Sequence, residues 1–201
     1  MEDSHIRREP IEWCDIWIRG CTGTDLPRVL MIGDSITKSY FHYVDKALKG
    51  RFCCGQLATS KCVGDPRLIK EFELAFCEGD FEVIHFNNGM HGWDYTEKQY
   101  ADGLAESFDW LIKTAPKARL IWAQTTPKRE GEGWLQFNEE ITERVRVRNR
   151  TATSLVEERG LEINDLFSVV VDRPDYFIDG VHFTPEGREA LGKKVVEVID
   201  Q

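Results

Sequence analysis

Four apolar residues, Val29, Leu30, Met31 and Ile32, stand between Pro27 and Gly33 and lead into a helical pattern, and this unit recurs along the chain. A short apolar run bounded by backbone breakers reads as a buried strand. Residues 37–49 follow it with Tyr40, Phe41, Val44 and Leu48 at helical spacing, closed by Gly50. The alternation continues with strands expected at 52–57, 83–86, 119–123 and 161–164. Helices are expected at 66–77, 96–114 and 138–159. A last helix opens at Thr184 and Pro185, a cap residue followed by proline where the first helical turn tolerates it. Strands separated by helices predict an α/β fold, a mainly parallel sheet with helices on both faces. Ligands bind such sheets beyond the C-terminal ends of the strands.

The chain divides into an irregular lead-in over 1–27, with Trp13, Ile16 and Trp17 packed on the body, and one domain over 28–201. Its 201 residues suit a single core. With Lys+Arg 26 against Asp+Glu 35, the net charge is −9, which argues against nucleic acid as a partner. No apolar run is long enough to span a bilayer, so no membrane partner is expected. The polar N-terminus lacks the apolar stretch of a secretory signal, and the chain reads as cytoplasmic. The partners expected are therefore neither nucleic acid nor a membrane. Six cysteines, all in the first half, have neither zinc-ligand spacing nor a disulfide framework and are expected to be free thiols.

Two segments carry chemistry. Gly33-Asp34-Ser35-Ile36-Thr37 joins the first strand to a helix, so Ser35 meets a helix N-terminus where free N–H groups favour a developing anion. A simple helix cap has the same sequence appearance. Asp179-Gly180-Val181-His182 precedes the last helix. A serine needs a base to take its proton, and that base needs an acceptor on its other ring nitrogen. Asp179 and His182, three residues apart, meet the second need locally, although a surface histidine beside a turn aspartate looks alike.

Together, these segments resemble the SGNH/GDSL hydrolase family over about residues 28–200. The resemblance implies a three-layer, flavodoxin-like α/β/α sandwich. It implies Ser35 as nucleophile and Asp179 and His182 as the rest of a catalytic triad, with no cofactor and no metal. It also implies an oxyanion hole of three donors: the Ser35 N–H, a glycine N–H matched by Gly64, and an asparagine amide. The third block, His85-Phe86-Asn87-Asn88-Gly89-Met90-His91-Gly92, departs from the commoner Gly-x-Asn-Asp form. Asn87 is the expected donor there, with Asn88 and His91 as alternatives. The activity implied is a serine esterase removing a small acyl group, expected to be acetyl, from a carbohydrate. A lipid esterase or acyl thioesterase with the same triad, and a carbohydrate-binding module with a decayed site, are the rival readings.

Asp34, Trp93 and Trp134 are the candidate substrate contacts, the tryptophans because aromatic faces suit sugar rings. His85, His91 and Asp94 read as ordinary core or loop residues rather than metal ligands. Arg144, Arg146, Arg148 and Arg150, with glutamates nearby, read as a solvated ion-pair face. Asp165 reads as a helix cap.

Overall fold

The computed structural model describes residues 6–201. Its central sheet contains β1 (Cys14–Trp17), β2 (Arg28–Gly33), β3 (Cys53–Thr59), β4 (Val83–Phe86), β5 (Arg119–Ala123) and β8 (Glu162–Asn164), in the order β1-β3-β2-β4-β5-β8. Every pairing from β3 to β8 is parallel, and β1 alone is antiparallel. A separate two-stranded ribbon joins β6 (Arg129–Glu130) to β7 (Gln136–Phe137). The helices are α1 (Ser35–Ala47), α2 (Arg67–Phe76), α3 (Glu97–Thr114), α4 (Glu139–Arg159), α5 (Phe167–Val170) and α6 (Pro185–Ile199).

Strand side chains alternate between faces, and here they feed two cores. Val29 and Met31 of β2 join Tyr40 and Val44 of α1 and Leu191 and Val195 of α6. Leu30 and Ile32 join Phe72 of α2, Leu104 and Phe108 of α3, and Val156 of α4. The result is the three-layer α/β/α arrangement. Asn138 caps α4 and a capping box from Thr96 to Gln99 starts α3, which is why both helices begin where they do.

The lead-in is more than a packed irregular segment. Residues 14–17 extend the sheet at its β3 edge, with Cys14 opposite Thr59 and Trp17 opposite Gln56. Ile16 packs on the core, whereas Trp17 is half-exposed and meets the edge of Phe41. Sequence periodicity missed β1 because an edge strand with exposed ends has no clean alternation. No helix among the described residues is long and apolar enough to cross a membrane.

From β2 the chain crosses to β3 on one side and then to β4 on the other. That reversal opens a crevice beyond the C-terminal ends of β2 and β4. Both chemical segments and the third block lie at this crevice or close over it.

Candidate active site

Gly33 ends β2 because nothing larger fits: an added Cβ would lie 2.0 Å from the Thr37 hydroxyl. Asp34 then caps α1, its Oδ1 accepting the Ile36 N–H at 2.8 Å. Ser35 is therefore the first residue of the helix, where helical geometry supplies no partner for its N–H.

The loop before α6 is closed by its own backbone. Ile178 N–H donates to His182 O at 3.0 Å, and Thr184 N–H donates to Tyr176 O at 2.7 Å. At Gly180, φ is +80° and a Cβ would lie 2.2 Å from Arg129 O, so only glycine passes. Arg129 N–H donates to Gly180 O at 2.7 Å, tying the loop to β6. Arg129 is itself buried, its guanidinium bound to the carbonyls of Trp134, Leu135 and Val171.

This turn brings Asp179, His182 and Ser35 into line. Ser35 Oγ lies 2.8 Å from His182 Nε2, and His182 Nδ1 lies 2.6 Å from Asp179 Oδ2. Asp179 Oδ1 accepts the N–H groups of Val181 at 3.0 Å and His182 at 2.7 Å. Burial alone would raise the Asp179 carboxyl, but these bonds outweigh it and hold the group below the ordinary aspartate range. An ionised Asp179 accepts only, so His182 carries its proton on Nδ1. Its Nε2 is left to accept the Ser35 hydroxyl proton.

The cleft over Ser35 has a volume of about 390 Å³ and is walled by Glu9, Met90, His91, Trp93, Lys128 and Val181. Three of these come from the loop after β4, which two arginines of α4 hold by its carbonyls. Arg148 donates to Gly89 O, His91 O and Gly92 O at 2.7–3.1 Å. Arg144 donates to Trp93 O at 2.7 Å and Tyr95 O at 2.9 Å. Both also pair with Glu97, and both guanidinium groups lie over the Trp93 ring. The solvated face expected for the four arginines holds for Arg146 and Arg150, which pair with Glu143. It fails for Arg148, which is 0% exposed. A signal was present: Val145, Arg148, Ala152 and Val156 share one helical stripe whose other members are apolar.

Other expected site residues lie elsewhere. Asn87 Nδ2 donates to Ala123 O at 2.7 Å and to Thr125 Oγ1 at 3.1 Å, which engages both of its protons. The Asn87 side chain is turned to the end of β5 and has no N–H left for an oxyanion. Asn88 accepts Val63 N–H on Oδ1 at 3.1 Å and donates one proton to Lys61 O at 2.7 Å, leaving the other. Gly64 does not line the cleft. It lies in a separate depression with Leu68 and Gly103, and an added Cβ would lie 2.7 Å from the Tyr95 ring, so packing accounts for this glycine.

Asp34 is buried, with Oδ1 on its cap and Oδ2 without a partner among the described residues, and it does not line the cleft. Trp134 lies beside Gly180 and packs on the core rather than lining the cleft, whereas Trp93 does line it. His85 is a buried core histidine whose Nε2 meets Asn164 Nδ2 at 3.1 Å. Asp165 caps the turn into α5 through Ser168. Among the described residues no group of three or more His, Cys, Asp or Glu side chains is placed to hold a metal ion. The cysteines described are free thiols.

No protein-family model and no curated protein matches the chain. Solved structures do match its fold. A GDSL-like lipase from Bacteroides thetaiotaomicron VPI-5482 superposes with a TM-score of 0.69 at 16% identity, over 86% of this chain and 87% of that one. The aryl esterase of M. smegmatis gives 0.69 at 15%, over 87% and 98%. An acetyl xylan esterase, AlAXEase, gives 0.69 at 14%, over 86% and 99%. The chain thus has the fold of the GDSL-type hydrolases.

Proposed function

We propose that the chain is a serine esterase working through an acyl-enzyme, with Ser35 as nucleophile, His182 as base and Asp179 as the group that orients and charges His182. The observation that carries this reading is the unbroken line from Asp179 Oδ2 through the His182 ring to Ser35 Oγ, at 2.6 and 2.8 Å.

Ser35 Oγ attacks the ester carbonyl while His182 Nε2 takes its proton. The tetrahedral oxyanion rests on the Ser35 N–H, at the positive end of α1; of the two asparagines, Asn88 alone keeps an amide proton free to join it. His182 returns the proton to the leaving alkoxide, which departs as the alcohol. Water, deprotonated by His182, then attacks the acyl-enzyme, and the second collapse frees the acid and regenerates Ser35. Asp179 stays ionised throughout and stabilises the imidazolium formed in each half.

For the substrate, we favour an acetyl ester of a carbohydrate. The cleft, at about 390 Å³, falls within the range of small-molecule pockets, and its walls combine Trp93 with the polar groups of Glu9, His91 and Lys128. The fold likeness to an acetyl xylan esterase supports the same substrate class. A fluorophosphonate probe and an ester panel test the proposal. Covalent capture of Ser35, with turnover of acetylated sugars above long-chain acyl esters, is the expected result. An unlabelled protein inert toward every ester overturns it.

A further inference from the structure

Glu9 reaches the Ser35 cleft from outside the α/β layers. Residues 7–13 run across the loops that follow β3 and β4, and polar contacts fix them there. Arg7 N–H donates to the Tyr95 hydroxyl at 2.9 Å, and Arg8 Nε meets Asp65 at 3.3 Å. Glu12 takes the Ser60 hydroxyl at 2.6 Å and Lys61 Nζ at 2.7 Å. Lys61 is only 9% exposed, so little water competes for that pair.

Held in this way, Glu9 places Oε1 2.7 Å from His91 Nδ1, and both residues line the cleft with Ser35 and His182. A carboxylate accepts and cannot donate, so the proton between them sits on Nδ1. In the neutral ring His91 Nε2 is then an acceptor. Glu9 Oε2 has no partner among the described residues. The cleft therefore holds a second carboxylate–imidazole pair, separate from Asp179 and His182, with two acceptors and no bond to the nucleophile.

On the esterase reading above, we infer that Glu9 and His91 are the specificity pair for the alcohol part of the ester, accepting hydrogen bonds from hydroxyls next to the scissile oxygen. Such acceptors reward a polyhydroxy alcohol and give nothing to a plain alkyl alcohol, whose hydrocarbon offers no donor. A donor missing from the substrate would leave these acceptors short of a partner, a difference of about tenfold or more.

The test compares a mono-acetylated pyranoside with its deoxy analogue, which lacks the neighbouring hydroxyl. Wild type should prefer the hydroxylated ester about tenfold or more in kcat/KM, with the difference in KM. His91→Ala should reduce the preference to within about threefold, and Glu9→Gln should give an intermediate value. Nitrogen-15 NMR should find the Nδ1-protonated tautomer of His91 in wild type and a shifted tautomer balance in Glu9→Gln, and the loss of preference for the hydroxylated ester is the readout that a purely structural role would not move. Lack of discrimination in wild type, or an unchanged ratio in His91→Ala while fluorophosphonate still labels Ser35, overturns this inference alone. Failure to label Ser35 with no turnover of any ester overturns the esterase reading and this inference with it.

Discussion

Ser35, His182 and Asp179 are joined by two hydrogen bonds, so single substitutions separate the roles proposed for them. Ser35→Ala should remove ester turnover and fluorophosphonate capture while the domain stays folded, as thermal melting would verify. Asp179→Asn should lower kcat by up to about 10⁴-fold, because the ring loses both its tautomer and its counter-charge. The asparagines divide differently. Asn88→Ala should cut kcat about 10²–10³-fold with little change in KM, the pattern of a donor used only in the transition state. Asn87→Ala should lower stability by about 1–3 kcal/mol without that kinetic signature, since it leaves Ala123 O unpaired in a buried site; Asn88→Ala should share a stability cost, because Val63 N–H and Lys61 O lose their partner. Equal kinetic losses in the two variants would remove Asn88 from the oxyanion. The meeting of Ser35, His182 and Asp179 was legible in the sequence because each lies in a short local signature. The choice between Asn87 and Asn88 was not, because it depends on what each amide meets across the sheet.

Among the elements, α4 departs most from its sequence appearance. Its charged residues suggest a solvent-facing helix, yet Arg148 is buried and closes the loop after β4 by capturing three carbonyls. Removing one member of a buried charged network typically costs about 3–5 kcal/mol. Arg148→Met should therefore destabilise the protein by about 3 kcal/mol or more in chemical denaturation, and it should loosen His91 and Trp93. Arg150→Ala, on the exposed side, should stay within about 0.5 kcal/mol of wild type. The strands β2, β4 and β5 were legible from apolar runs alone. The two-residue strands β6 and β7 are too short for any periodicity, and β1 hides its face at the sheet edge.

For the molecule as a whole, His85 makes stability depend on pH. It is fully buried between Asn164 and Tyr40, and desolvation pushes its pKa down from 6.5 to about 3. Between those values the unfolded chain binds a proton that the folded chain refuses. Stability contributed by the neutral ring is thus present above about pH 6.5 and is lost as pH falls toward 3, at up to about 1.4 kcal/mol per pH unit. Comparing wild type with His85→Gln in denaturant at pH 7 and pH 4.5 isolates this effect. The variant should gain about 2 kcal/mol on wild type at the lower pH. A gap that does not change with pH would mean that water reaches the ring in the folded state.

Residues 6–17 also join two properties usually kept apart. β1 covers the backbone edge of β3, and the segment just before it carries Glu9 into the cleft. Residues 21–25, which link β1 to the body, are exposed. A protease nick there that released the leading peptide would unmask the N–H and C=O row of β3, a template for strand-to-strand aggregation. The same cut would remove one wall of the cleft. Solubility and substrate choice should then fail together from one broken peptide bond, and the two losses should follow a single time course in limited proteolysis.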